Sequence, residues 1–80
     1  MTREKRLRLI RRVLNEVPFS MRQLAEEAGV GYALVRAWSI GRRAPLPEAM
    51  RRVAAVLRRR GERLRDLADE VERIAAEEDR

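Results

Sequence analysis

Two short helical segments, separated only by a brief glycine-containing turn, restrict the fold of this 80-residue chain more than any other feature. The first begins after Ser20, which forms a capping-box pattern with Gln23, and it ends at Gly29. The second extends from Tyr32 to Ile40. A turn this short makes two helices cross steeply, so the pair is expected to pack together.

The apolar residues of this region have the spacing of a helix-turn-helix, and Ala25 is small enough to let the two helices approach each other. The residues predicted to face inward are Leu24, Ala28, Val30, Val35 and Trp38. Phe19 precedes the first helix at the position of a hydrophobic staple with Leu24. We therefore predict that Trp38 and Phe19 are core and staple residues, and not platforms on which bases stack.

The rest of the chain shows the apolar periodicity of helices and no alternation typical of strands. We predict a compact all-α domain of five helices. The first begins at Thr2 and stops before Pro18, the fourth begins at Pro47, and Gly61 breaks or weakens it so that a fifth spans residues 62–77. Residues 1–60 are expected to form one domain with the helix-turn-helix at 21–40, followed by a C-terminal amphipathic helix at 61–80 with a frayed acidic end.

Charge is distributed unevenly along the chain. The whole sequence has 19 Lys+Arg and 13 Asp+Glu, but residues 1–60 carry a net charge of +10 and residues 61–80 a net charge of −4. A basic body suits a polyanionic partner, and the acidic end is expected to stay away from it. Because 18 of the basic residues are arginine, a bias toward arginine codons is an alternative source of the excess.

The residue types that are missing exclude several classes of function. The chain has no cysteine and no histidine, so it lacks disulfides, thiolate metal sites and the usual general base. It also contains no glycine-rich phosphate loop and no apolar run long enough to cross a bilayer, and no apolar segment near Met1 resembles a signal peptide. We therefore expect a cytoplasmic protein that is not an enzyme, with no catalytic or metal-binding residue, no cofactor, no membrane association and no evident small-molecule effector.

From Ser20 to Leu57 the chain resembles the phage repressor and Cro (XRE-type) DNA-binding family. The residues that carry the resemblance are Leu24-Ala25, Gly29-Val30, Val35, Trp38, Gly41 with Arg42-Arg43, Pro45, and Val53-Ala54 with Leu57. The resemblance implies a lambda-repressor-like fold of phage or bacterial type. It also implies sequence-specific binding of duplex DNA, usually as a dimer on a palindrome and usually to repress transcription.

Helical geometry indicates which side chains would face DNA. If Val35 and Trp38 point inward, the outward face at the start of the third helix holds the predicted base contacts Tyr32, Ala33, Arg36 and Ala37. An arginine in the major groove reaches guanine O6 and N7 together, and an alanine methyl meets the thymine methyl. Arg36 is therefore predicted as the main polar reader. The alternatives are that Arg36 binds only backbone phosphate or pairs with Glu27.

Contacts to DNA phosphates are predicted for Arg22 near the amino end of the second helix, for the backbone at Gly31, and for Arg42 and Arg43 after the third helix. Arg51 and Arg52 either extend these contacts or lie on a solvated helix face. The run Arg58–Arg60 is expected to be exposed to solvent or paired with the acidic tail.

Apolar residues at seven-residue spacing continue from Leu57 into the C-terminal region, where those predicted to form a dimerisation surface are Leu64, Leu67, Val71 and Ile74. A short chain buries a modest core and gains stability from association. We therefore expect a homodimer that binds half-sites about one DNA turn apart. The alternative is that the last helix packs its apolar face back on its own domain.

These features favour a sequence-specific double-stranded DNA-binding transcriptional regulator, a repressor, that reads the major groove with helix 32–40. Two alternatives use the same fold. One is the DNA-recognition subunit of a phage assembly machine, similar to a small terminase subunit. The other is a protein-interaction adaptor that has lost DNA binding.

Overall fold

The computed structural model describes residues 2–78, which form four α-helices and no strand. The helices are α1 (Arg3–Glu16), α2 (Met21–Ala28), α3 (Tyr32–Ser39) and α4 (Pro47–Glu78). The all-α prediction is confirmed. Of the end predicted to fray, Asp79 and Arg80 lie outside the described residues.

The prediction of a fifth helix is wrong, because α4 continues through Gly61 for 32 residues. A glycine inside a helix costs about 1 kcal/mol relative to alanine, which does not end a helix flanked by strong helix formers. Arginine, glutamate and leucine surround Gly61, and ion pairs of Arg73 with Glu70 and Glu77 support the distal part. The helix-forming residues on both sides of Gly61 therefore outweigh the cost of this one glycine.

The prediction of a compact shape is also wrong. The chain measures 57 × 23 × 19 Å, and its radius of gyration of 16.4 Å exceeds the roughly 12 Å of a compact chain this long. The distal half of α4 causes the elongation, since residues 61–77 are all exposed. The exposed fractions along the predicted dimerisation surface are 65% for Leu64, 59% for Leu67, 63% for Val71 and 43% for Ile74. The alternative that this helix packs on its own domain is therefore wrong.

The predicted caps of the first two helices are present. Thr2 Oγ1 accepts a hydrogen bond from the Lys5 amide at 3.2 Å and begins α1. Both bonds of the capping box at α2 form, with the Gln23 amide donating to Ser20 Oγ and the Ser20 amide donating to Gln23 Oε1. Gly29 ends α2 with φ of +69°, a conformation that glycine adopts without steric strain.

The core lies between α1, α2, α3 and the first part of α4. Its buried members are Ile10, Leu24, Ala25, Ala28, Val35, Trp38, Val53 and Val56. α2 packs against both α3 and α4, and α1 packs against α3. Trp38 is confirmed as a core residue, and Phe19 packs half-buried against the same core. These contacts fix the inner face of α3 and leave its other side outward.

Neither a membrane-spanning helix nor a metal-binding cluster is found in residues 2–78. No helix in this range combines the length and the apolar character needed to span a bilayer. No group of three acidic side chains in the same range is arranged to hold a metal ion.

Candidate nucleic-acid interface

One face of α3 is fully buried and the opposite face is open. Val35 and Trp38 have no exposed surface, whereas Ala33 and Arg36 are exposed. Tyr32 and Ala37 are half-buried, so they lie at the margins of the open face. The predicted base-contacting residues thus share one side of α3, with Ala33 and Arg36 at its centre.

Arg36 has an unengaged guanidinium group. Its side chain makes no hydrogen bond or ion pair with any residue between 2 and 78, and its backbone carbonyl accepts from Ser39 Oγ at 2.7 Å and from the Ile40 amide at 3.2 Å. Glu27, the acid considered as its partner, is bound instead by Arg60. The alternative of an Arg36–Glu27 pair is therefore wrong, and the alternative of a phosphate contact stays open.

Arg22 lies over the first residue of α3. Its guanidinium carbon is 4.3 Å from the centre of the Tyr32 ring, a distance at which a cation is attracted to the face of an aromatic ring. The stack connects the start of α2 with the start of α3 and places a positive charge there. The sequence pattern does not indicate this contact, because Arg22 and Tyr32 are ten positions apart and on different helices.

The amino end of α3 has no side chain to cap it. Gly31 is the N-cap, is exposed and is extended at φ −70° and ψ 141°, and its carbonyl accepts the Leu34 and Val35 amides. A helix N-terminus carries a partial positive charge and amides that suit an anion. The backbone at Gly31 thus lies where a phosphate contact was predicted, beside Arg22.

A second group of arginines lies beyond the carboxyl end of α3. Gly41 turns the chain with φ of +78°, and the amides of Arg42 and Arg43 then donate to the Ala37 carbonyl at 3.0 and 3.4 Å. Both side chains are exposed. Arg11 of α1 joins them, since its Nη1 lies 3.7 Å from the position that a β-carbon on Gly41 would occupy. Arg11 was missed because the packing of α1 on α3 leaves no local sequence pattern.

The arginines of α4 have structural roles that their sequence did not reveal. Arg52 Nη1 donates to the Gly29 carbonyl at 3.2 Å and so braces the turn between α2 and α3. Arg60 binds the Glu27 carboxylate through Nε at 3.1–3.2 Å and covers the Phe19 ring at 3.7 Å. Arg59 Nη2 donates to the Glu27 carbonyl at 3.2 Å.

These contacts correct the expectation for one member of the run Arg58–Arg60. Arg58 and Arg59 are exposed as expected, and Arg59 also donates to the Glu27 carbonyl, whereas Arg60 is half-buried and pairs with Glu27 rather than with the acidic tail. The reason is that the uninterrupted α4 carries its arginines past α2 and takes the acidic tail away from the domain. Arg51 pairs with Glu48 on the same helix at 3.4 Å.

Replacing Glu27 with glutamine is expected to lower the melting temperature near neutral pH but to have little effect in acid. The hydrogen bond from Arg60 lowers the pKa of Glu27, the charges of Arg60, Arg63 and Arg59 lower it further, and desolvation opposes them. A lowered pKa in the folded state stabilises the protein above the ordinary glutamate pKa of about 4.3, and this stabilisation disappears as pH falls through the lowered value.

Thermal unfolding followed by circular dichroism at about pH 7 and about pH 2.5 measures this difference. Glu26→Gln is the matched control, because the Glu26 carboxylate is exposed and makes no ion pair with the part of the chain that the structure describes. An equal loss at both pH values, or an equal loss in both variants, contradicts the role assigned to the Glu27–Arg60 pair.

The structure brings the predicted DNA-contacting residues together around α3 and separates them from the predicted dimerisation residues. Arg22 and Gly31 lie at the start of α3, and Arg42 and Arg43 follow its end. The dimerisation residues lie on the distal half of α4. Comparison of the chain with protein-family models, with curated proteins and with solved structures finds no match. The function of this surface therefore has to be inferred from the residues of the chain itself.

Proposed function

We propose that this protein is a sequence-specific double-stranded DNA-binding transcriptional regulator, a repressor, that inserts α3 into the major groove. The observation that carries the proposal is the unengaged Arg36 at the centre of the open face of α3, with arginines beyond both ends of that helix. An α-helix fits the major groove, where an arginine can bind guanine with two hydrogen bonds. Charges beside the helix then hold the phosphates on either side.

Each group of residues has its own role in this proposal. Arg36 reads a base, with Tyr32 beside it and with Ala33 and Ala37 supplying apolar contact or clearance. The phosphate contacts are Arg22, the backbone at Gly31, Arg42 and Arg43. With so few polar readers, part of the specificity comes from DNA shape and deformability rather than from base edges.

In this proposal α2, its turn and α3 act as the helix-turn-helix of a lambda-repressor-like domain that resembles the XRE type. Its final helix is the first part of α4, and the exposed distal part pairs two copies. The protein works as a homodimer in the cytoplasm, associated with the nucleoid when it binds DNA. Two copies then read the two halves of a palindrome.

Gel-shift titration on duplexes of random sequence, at several salt concentrations, tests the proposal. Arg22, Arg42 and Arg43 give three arginine–phosphate contacts per copy and six in the dimer, so the logarithm of the binding constant is expected to fall with the logarithm of salt concentration with a slope of about −5. Replacing both Arg42 and Arg43 with alanine removes four of these contacts from the dimer and makes the slope about three to four units shallower. Arg58→Ala is the control, because Arg58 is exposed but lies on α4 away from α3.

The same experiment separates the alternatives. Absence of binding at low salt contradicts the proposal and favours a protein-interaction adaptor. Binding by a ring rather than a dimer favours a DNA-recognition subunit of an assembly machine. Selection of bound duplexes from a random pool then gives the operator, and a palindrome with half-sites about one turn apart supports a dimeric regulator.

A further inference from the structure

An apolar groove of about 790 Å³ lies outside the proposed DNA contacts, between the end of α1 and the middle of α4. Val13, Val17 and Phe19 form one wall. Leu57 and Leu64 belong both to the groove and to the seven-residue repeat of α4. Leu57, Leu64 and Leu67 line the groove, and Leu64 and Leu67 belong to the exposed distal part of α4, so the groove and this part of the helix form one continuous apolar surface of the kind that marks an interaction site.

We propose that this surface binds the distal half of α4 from a second copy of the chain, with the two helices antiparallel. The proposal deepens the homodimer named under the proposed function by specifying the surface, the orientation and the register. It depends on that function only where the spacing of DNA half-sites is concerned.

Charge along α4 favours the antiparallel orientation. Residues 58–65 contain five arginines and one glutamate, whereas residues 66–78 contain six acidic residues and one arginine. Antiparallel helices place each basic half against the acidic half of the other copy. Parallel helices place like charges together, which opposes association.

The apolar repeat also fits antiparallel pairing. When Leu64 lies opposite Leu67 of the partner subunit, the same register brings Leu57 opposite Ile74 of the partner subunit. In parallel pairing, each residue meets the same residue of the second copy. The helices would then meet along an apolar seam, the row of α4 residues 57, 60, 64, 67, 71 and 74, and Arg60 would face the Arg60 of the second copy within it. The antiparallel register instead places Arg60 beside Val71 of the partner subunit, where its guanidinium can stay on Phe19 and Glu27.

Gly61 supplies an independent observation. A β-carbon there would meet nothing within 4 Å, and φ is not positive, so nothing within the described part of the chain requires glycine at this unfavourable helical position. It belongs to a row of small residues at seven-residue spacing along one edge of the seam: Ala54, Gly61, Ala68 and Ala75. A neighbouring helix can approach closely along such an edge, so a second copy gives Gly61 a function.

The opposite edge of the seam pairs Arg63 with Glu70 of the partner subunit. Arg63 makes no hydrogen bond or ion pair within the described range, and Glu70 contacts only Arg73, at 3.3 Å. Both side chains are therefore available to a second helix. By symmetry the contact forms twice in the dimer.

Arg63 and Glu70 are both exposed, so charge reversal tests the contact without removing a buried side chain. Arg63→Glu and Glu70→Arg are each expected to raise the dimer dissociation constant about tenfold, because each converts two attractions into repulsions. An equimolar mixture of the two variants, or the double variant, restores association because every contact is again between opposite charges. Arg65→Glu and Glu62→Arg are the matched controls, as they change the same charges on the outward side of α4. Sedimentation equilibrium of the full chain without DNA measures all of these.

A distance between spin labels tests the orientation. The chain has no cysteine, so Ala76→Cys gives a single labelling site on the outward side of α4. The proposed register separates the two labelled residues by 21 helical positions, or about 32 Å along the axis, and parallel helices bring them within about 20 Å. A short distance, failure of the double variant to restore association, or a monomer at all protein concentrations overturns the proposal.

These outcomes are separable from those of the DNA-binding tests. In the proposed register the two Leu57 residues lie about 26 Å apart along the axis, with the α3 helices farther out, close to the scale of one DNA turn. An antiparallel dimer that does not bind DNA contradicts only the proposed function. A monomer that binds DNA contradicts the dimer in both proposals and leaves the proposed DNA contacts of α3 intact.

Discussion

Replacing Trp38 with alanine is expected to lower the free energy of unfolding by about 3–5 kcal/mol. Trp38 is fully buried between α3 and the rest of the core, so the loss combines removal of its apolar surface with the cavity left behind. Small domains are marginally stable, and a change of this size is a large fraction of their free energy of unfolding. Urea denaturation followed by circular dichroism, at one fixed protein concentration, measures it.

Trp38→Phe is the informative control. The Trp38 indole N–H makes no hydrogen bond within residues 2–78, so phenylalanine removes a buried donor that has no partner along with some volume. We expect a cost below about 1.5 kcal/mol, since the two effects partly offset each other. An equal cost for both variants would mean that the indole N–H contributes favourably to the fold.

Replacing Arg36 with alanine is expected to weaken binding to the preferred duplex by about 1–3 kcal/mol, roughly 5- to 150-fold, for each half-site, and to leave binding to unrelated duplexes nearly unchanged. The reason is that Arg36 stands free at the centre of the open face of α3, where it would bind guanine rather than a phosphate. Titration of the selected duplex and of a scrambled duplex, at one salt concentration, gives both values.

Arg42→Ala provides the matched comparison. Arg42 is also exposed, but it follows the end of α3, so its loss is expected to weaken binding to both duplexes by a similar factor. If Arg36→Ala weakens both duplexes equally, Arg36 contacts phosphate. If Arg42→Ala is selective, the roles of the two residues are reversed.

Features that arise from neighbouring residues were predictable from the sequence. The capping box of Ser20 and Gln23 joins positions three apart, and the left-handed Gly29 ends the same short helix. The inward position of Trp38 followed from helical periodicity within α3. These features also position the candidate site, which explains why the open face of α3 could be identified from sequence.

Features that depend on distant residues were not predictable in the same way. Arg60 and Glu27 are 33 positions apart, and only the path of α4 past α2 brings them together. Arg11 reaches the end of α3 because α1 packs on that helix. The error at Gly61 has a different origin, since helix stability is summed over many residues and a single weak former is outweighed.

Because α4 is uninterrupted, an insertion or deletion within it changes the angle between the surfaces at its two ends. Val53 and Val56 belong to the core, and Val71 and Ile74 to the exposed seam, yet all lie on one helix. Each residue turns a helix by about 100°, so an insertion near Gly61 would rotate the two ends out of phase while leaving both intact. The number of residues between the core face and the exposed apolar face of α4 therefore fixes the angle between the two faces. Insertions or deletions near Gly61 are expected to be tolerated only when their length is close to a whole number of helical turns.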